Sequence, residues 1–579
     1  MKSVPSNAEI ARLLSNMAVF YEMEGVQFKP RAYERAAEAV ETLDETVADV
    51  FARGGRKALD GIPGVGPGIA AHLEEILTTG TFEEYKRMRK RVPVAVEELN
   101  PVEGIGPKMI KVLYQQLRIK NLKDLEAAAR AGKIKKIPHF GAKSEERILK
   151  GIEFLKKSKG RFLLGNIQPT VRDMEERLRK IPGVGQVTTA GSYRRWQETV
   201  GDIDILVTAK DPKRVMDAFV KFPEVEHVFG RGPTKVNVRL RQGIDADIRV
   251  LKPNEYGSAL QYFTGDKMHN IETRKIAIKK GYKLSEYGLF SGKKLIAGKT
   301  EEEVYKKLGL DWIPPELRTA SGEIEAARSD QLPNLVEYGS IRGDCQVQTS
   351  WTDGSHSIED MAKAAMSHGL EYMVVTDHTR ALAMTGGLDE KKLAQQGKEI
   401  NALNKKLGKR FRILKGAEIN ILKDGTLDIS DGMLKKLDAV AVSVHSHFGM
   451  SEAEMTGRII RAIKNPLVNI LFHPTGRLIG KREPYQVDIL KVLRAAKEYG
   501  VAMEVNAFPE RLDLRDAHIR DAVKLGVKLV VDSDAHAPHH FQYLDLGVAQ
   551  VRRGWGSKSD VLNTKAVDDF LKSLKGLKR

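Results

Sequence analysis

Residues 191–204 read GSYRRWQETVGDID. In an extended strand, residues two apart project to the same side, so Asp202 and Asp204 share one face of the run GDIDILV while Ile203, Ile205 and Val207 pack behind them. Two carboxylates on the face of a core strand are suited to holding cations. A third acid, Asp247 in DIRVL, can join them from a neighbouring strand, and three such acids are the minimum for a two-cation phosphoryl-transfer centre. Upstream, Ser192 and the backbone beside Gly191 can donate to phosphate oxygens, and Arg195 offers a bidentate cationic fork. An isolated DxD is more often a pair of solvated turn residues; the adjoining GSYRR separates this stretch from that reading.

The rest of the composition fits an enzyme of polyanions. A chain of 579 residues is too long for one core and implies several domains. A formal net charge of +18 attracts phosphate backbones, although it would equally suit RNA-binding or membrane-surface proteins, so it bounds only the partner's sign. The single cysteine, Cys345, excludes a disulfide framework. The start MKSVPSNAEIARLL lacks an apolar block, and no run of about 18 apolar residues occurs. These features give the expectation of a cytoplasmic protein with no membrane association.

Before the opening stretch lie repeated glycine turns. IPGVGPGIAAHLEEIL, residues 62–77, sets Gly64 and Gly66 between helical patterns, a turn that presents backbone N–H groups to phosphate at a helix start. VEGIGPKMIKVLYQQL, residues 102–117, repeats it with Gly104 and Gly106, and IPHFGAKSEERIL, residues 137–149, is a weaker third copy. Both strong copies match the helix-hairpin-helix motif, which grips the DNA backbone without reading sequence.

With these hairpins, GSYRR, the DxD and Asp247, residues 1–318 resemble the polymerase beta branch of the family X DNA polymerases. The resemblance implies an α+β nucleotidyltransferase palm with a thumb, preceded by α-helical helix-hairpin-helix domains. It implies that Asp202 and Asp204 bind two Mg²⁺ ions, that Asp247 binds the catalytic one, and that Gly191, Ser192 and Arg195 hold the triphosphate. YFTGDKMHNIETR, residues 262–274, is similar to the sugar-and-base pocket of these enzymes. Tyr262 and Phe263 would then pack on the deoxyribose, Gly265 would belong to the same nucleotide pocket, Asn270 would touch the minor-groove edge of the nucleotide, and Arg274 the template strand. The implied partners are gapped or primed DNA and deoxynucleoside triphosphates, with the protein acting as a monomer. Members with 5′-deoxyribose phosphate lyase activity use a lysine as Schiff-base nucleophile; Gly68 and His72 stand here where lysines are expected. Imidazole cannot form that Schiff base, so weak or no lyase activity is expected unless a nearby residue such as Lys29 substitutes.

Past WIPPELR, residues 312–318, an acidic stretch to about Tyr338 reads as a linker, and the composition then changes: ten of the fourteen histidines lie beyond residue 340. Several end apolar runs, as in VVTDH, AVAVSVH, NILFH and LVVDSDAH. Parallel α/β barrels carry their chemistry at strand carboxyl ends, so these His, Asp and Glu residues can converge on a metal cluster of a kind Zn²⁺ or Mn²⁺ accepts. The segment resembles the polymerase and histidinol phosphatase (PHP) domain, a distorted seven-stranded barrel associated in fused polymerases with 3′ to 5′ exonuclease activity. By that resemblance the ligands are Asp353, His378, Glu418, His445, His473, Asp534 and His536, with Asp377 behind them and His447, His539 and His540 on the surface. The first motif departs from the pattern. GDCQVQTSWTDG carries Gln346 and Gln348 where the pattern has a His-x-His pair, its first position sometimes glutamine, and amide oxygens are poorer ligands than imidazole for these metals.

The expected divisions are 1–85 and 86–160 helical, 161–255 palm, 256–318 thumb, 319–340 linker and 341–575 PHP. The leading expectation is a gap-filling, template-directed DNA polymerase with an impaired nuclease domain. The alternatives are a PHP nuclease anchored by its palm and a non-catalytic DNA-end scaffold.

Overall fold

A computed structural model describes residues 5–574 except 42, 44, 63, 101, 103, 104, 139, 159, 383 and 384. Gly104 therefore lies outside the described residues. The chain divides into two compact units, one of residues 1–159 with 480–483 and one of residues 160–479 with 484–579.

The first unit is helical, with one continuous core running from Ile10 to Ile152 and no break near residue 85. Its glycine turns share a hydrogen bond: Val65 N donates to Ile62 O at 2.9 Å, Ile105 N to Val102 O at 3.0 Å and Phe140 N to Ile137 O at 3.0 Å. Each turn runs directly into a helix, Pro67–Thr79, Pro107–Leu117 and Ala142–Ser158. Gly66 and Gly106 cap the first two without a side-chain bond, so the leading N–H groups stay open to an anion. Gly64 needs its left-handed φ of 83° to make the turn.

In the second unit a five-stranded sheet runs in the order Val184–Thr189, Asp202–Ala209, Asp245–Leu251, Lys235–Leu240, Val225–Arg231. Asp202–Ala209 pairs parallel with Asp245–Leu251, and Asp204 stands opposite Asp247. The alternation of the first stretch holds: Ile203, Ile205 and Val207 are fully buried, and such burial contributes about 1.5–3 kcal/mol per side chain. Helices Leu164–Arg179 and Pro212–Phe219 supply part of that core. Leu512 and Leu546, from far along the chain, complete it.

Helices Tyr256–Thr264 and Lys267–Lys279 follow, then a three-stranded antiparallel sheet over residues 282–297 and helix Glu301–Leu308. The stretch expected as a linker is packed rather than loose. Helix Glu323–Arg328 buries Glu323 and Ile324, because Glu323 accepts from His269 Nδ1 at 2.7 Å and from the Ala320 and Ser321 N–H groups.

Beyond residue 340 the strands are parallel and alternate with helices. They form a three-stranded and a five-stranded sheet rather than one closed barrel. Single bridges join the sheets at both seams, His378 to Glu418 and Val347 to Ala535. One interruption is Gly416, where a Cβ would meet Val374 Cγ1 at 2.6 Å; the other is a register shift between Asp344 and Val347.

Candidate functional site

On the palm sheet the three acids lie on adjacent strands. Burial, reinforced by Asp202 and Asp247, pushes the Asp204 carboxyl up to about 6. Asp247 is held by Lys235 Nζ at 3.1 Å and by the Asn237 amide. Crowded acids of this kind fit divalent cations, whose charge relieves the repulsion. Gly191 touches the site directly: a Cβ there would come within 3.1 Å of Asp204 Oδ2. Because a proton competes with the cation for Asp204, Mg²⁺ affinity should fall about tenfold per unit as pH drops below about 6. Calorimetric titration between pH 5 and 7 measures this, and a flat profile would contradict it.

The loop after Gly191 meets the thumb. Arg194 forks onto Glu301 with two 2.8 Å bonds and donates to Thr264 Oγ1 at 2.8 Å. Buried Arg318 holds Glu301 from the other side. Arg195 donates through Nη1 to Thr264 O at 2.7 Å, and its buried Nε has no hydrogen-bond partner among the described residues. Tyr262 and Phe263 meet edge to face at 5.1 Å, with the Arg249 guanidinium 4.8 Å from the Phe263 ring. Asn270 uses its amide to close the bend, donating to Tyr262 O at 2.7 Å and Gly265 O at 3.0 Å. Arg274 is exposed, its Nε on Asn270 O at 3.1 Å. Ser192 is half-buried beside Gly191.

In the first unit His72 is committed to structure, its Nδ1 2.6 Å from the Tyr33 hydroxyl and its Nε2 3.6 Å from Glu84. The space beside Gly68 is empty. Lys29 Nζ reaches the Tyr21 hydroxyl at 3.2 Å and Glu84 at 3.7 Å. Borohydride trapping on incised abasic DNA should give little or no adduct, and any adduct should vanish with Lys29→Ala. A strong adduct in that variant would refute this.

At the strand ends beyond residue 340, the seven expected ligands come together. Glu418 is the hub: Oε1 lies 2.8 Å from His473 Nε2 and 3.0 Å from His445 Nε2, and Oε2 lies 3.5 Å from His378 Nδ1. Asp353, His378 and His536 form one group with ligand geometry, and His378, Glu418 and His445 another. Burial pushes the Glu418 carboxyl up, but His378, His445 and His473 overcome it and hold it well below the ordinary range. Buried Asp353 Oδ1 and His473 Nδ1 have no hydrogen-bond partner among the described residues, and His473 and Asp534 carry positive φ values of 27° and 51°, strain of the kind kept at working sites. These donors fit divalent cations.

Asp534 sits at the edge of the cluster, its Oδ1 3.8 Å from His536 Nδ1, while its Oδ2 meets Arg511 Nε at 3.2 Å and Asn506 Nδ2 at 3.1 Å. Gln346 and Gln348 both donate through Nε2 to Glu418 Oε2 at 3.0 Å, and the buried Gln348 Oε1 lacks a partner among the described residues. Asp377 is a frame rather than a ligand, bonded to Thr349, Thr352 and Gln396. His447 is exposed. His540, expected on the surface, is buried because its ring packs on Phe508 at 5.2 Å and accepts from His536 N at 3.1 Å. Sequence reading missed Arg511, Asn506, and Asn420, which holds His445 Nδ1 at 2.8 Å; all three lack a local motif.

A palm sheet with three acids on adjacent strands, a thumb packed against its loop and paired hairpin turns define a nucleotidyltransferase of the DNA polymerase kind. Family models agree: a helix-hairpin-helix domain matches residues 5–82, a SAM-like helix-hairpin-helix tandem 96–153, the DNA polymerase beta palm 165–227 and the DNA polymerase beta thumb 259–319. The chain is 36% identical over 572 residues, 98% of its length and 99% of the relative's, to the DNA polymerase/3′-5′ exonuclease PolX of Bacillus subtilis. A probable phosphatase of a Thermoanaerobacter species is 32% identical over 231 residues, 38% of this chain and 89% of that protein. DNA polymerase lambda of Arabidopsis thaliana is 25% identical over 354 residues, 54% of this chain and 62% of that one. The chain belongs to the family X DNA polymerases, with a PHP-type carboxyl-terminal half. Such relatives imply dependence on divalent metal. Among the described residues no helix is long and apolar enough to cross a membrane.

Proposed function

We propose that the protein fills short gaps in DNA, adding deoxynucleotides to a primer against a template. The observation that carries this reading is the register of Asp204 opposite Asp247, with Asp202 on the same face. Residues 1–85 and 86–160 grip the DNA backbone through their glycine turns, 161–255 form the palm and 256–318 the thumb. Gly191, Ser192 and Arg195 bind the triphosphate, Tyr262 and Phe263 pack on the deoxyribose, and Gly265 and Asn270 fix the bend that carries them. Arg274 steadies the template. Asp202, Asp204 and Asp247 hold two Mg²⁺ ions; when bound, these supply charge neutralisation of the triphosphate and activation of the primer hydroxyl.

The carboxyl-terminal centre is a weakened phosphodiester hydrolase in the same reading. Asp353, His378, Glu418, His445, His473 and His536 would hold Mn²⁺ or Zn²⁺, while the two glutamines and Arg511 occupy lone pairs that further ligation would need. Asp534 is the seventh ligand, offering Oδ1 beside His536 while Arg511 holds Oδ2. The test offers one purified monomeric sample gapped, recessed and blunt DNA with Mg²⁺ or Mn²⁺, scoring extension and digestion separately. Extension restricted to gapped and recessed primers is expected; digestion alone would favour the nuclease alternative, and neither activity the scaffold.

A further inference from the structure

The loop that carries Ser192 and Arg195 is held by residues from the far end of the same compact unit. Glu198, three residues past Arg195, receives a two-pronged ion pair from Arg477, with Nη1 to Oε2 at 3.1 Å and Nη2 to Oε1 at 2.5 Å. The pair is enclosed: the Arg477 side chain is 10% exposed and the Glu198 side chain 23%. Arg477 also donates to Leu512 O, and Leu512 belongs to the palm core. Two further contacts act on the same loop. Trp196 stacks on Tyr338 at 5.0 Å, and Arg553 Nη1 reaches Arg195 O at 3.4 Å.

Arg477 is itself rigidly mounted. It ends the turn that begins at His473, and within that turn Thr475 N and Gly476 N donate to Asp513 Oδ2 at 2.9 and 3.0 Å. Gly476 N returns to His473 O at 2.9 Å. At the head of the turn, His473 meets Glu418 in the second cluster. A short turn pinned through its backbone to Asp513 thus has the hydrolase cluster at one end and the polymerase loop at the other.

We propose that Arg477 and Glu198 are positioning residues for the incoming nucleotide, so that the carboxyl-terminal half is a working part of the polymerase site and not only an appended nuclease. The inference rests on the gap-filling reading above. A two-pronged guanidinium–carboxylate pair fixes orientation as well as distance. Removing either partner leaves the other charge half-enclosed without its counter-ion, with only Leu512 O for Arg477 or Gln550 Nε2 for Glu198, and the loop that presents Arg195 shifts with it. Arg195, offered less squarely by the shifted loop, loses part of its charge-assisted hold on the triphosphate, which weakens nucleotide binding.

The test uses the full chain with Arg477→Ala, Glu198→Gln and the double variant in steady-state incorporation on gapped DNA. The expected result is a KM for deoxynucleoside triphosphate raised roughly tenfold in each single variant with kcat changed far less. The double variant should be no worse than the worse single one, since both cut the same link. DNA affinity should be unchanged, because the hairpin turns are untouched. Glu198→Gln keeps the volume and one acceptor, and circular dichroism melting of each variant reports its folding. An unchanged KM in a folded variant, a fall in kcat alone, or additive effects in the double variant would overturn the proposal. A parent protein that incorporates nothing would overturn the gap-filling reading, and the inference with it.

Discussion

Replacing Asp204 with asparagine should lower nucleotide incorporation by about three orders of magnitude, the loss expected when a cation worth several kcal/mol of transition-state stabilisation is no longer held. The same change should raise the melting temperature of the metal-free protein above pH 6. The sign follows from the raised carboxyl: at about 6 against an ordinary 3.8, the folded state takes up a proton more readily than the unfolded one. Its stability therefore declines as pH rises between those values and stays lowered above them. Asparagine carries no charge and escapes that cost. Loss of activity with gain of stability distinguishes a cation-holding acid from a structural one, whose removal would lower both. Incorporation within tenfold of the parent would sink the assignment.

The second large effect is a gain. Changing Gln346 and Gln348 together to histidine should raise Mn²⁺-dependent shortening of recessed 3′ ends by about 10- to 100-fold and increase the metal bound per chain, read by elemental mass spectrometry. At present both amides point N–H groups at Glu418 Oε2, so that oxygen is occupied by donors where a cation would use it. Imidazole nitrogens can turn a lone pair toward a cation instead. Unchanged digestion with unchanged metal content would mean that Arg511, which already sets a guanidinium against Asp534, closes the position by itself.

The palm was legible because its signals are local. Strand alternation at Ile203, Ile205 and Val207 needs only a period of two, and the acids fall on the other face as a consequence. The cluster at Glu418 was legible for a related reason, since its histidines end apolar runs and parallel strands put their ends together. What escaped the sequence depends on distant pairings. Nothing near Arg511 announces that it meets Asp534, and nothing in the acidic stretch around Glu323 announces that His269 will bury it. His540 was misread because a histidine beside His539 looks solvent-facing until Phe508 covers it. The need for glycine at 416 was equally hidden, since it comes from the close approach of Val374, Val375 and Ala439.

Leu512 and Leu546 sit in the palm core with Val171, Ile203 and Ile248. During synthesis the palm strands leave the ribosome long before those leucines exist, a delay on the order of tens of seconds at ordinary elongation rates. The newborn palm must wait with an apolar opening facing solvent. A polymerase half expressed alone would keep that opening permanently, making it prone to aggregation and to capture by chaperones even though its own acids and phosphate loop are all encoded.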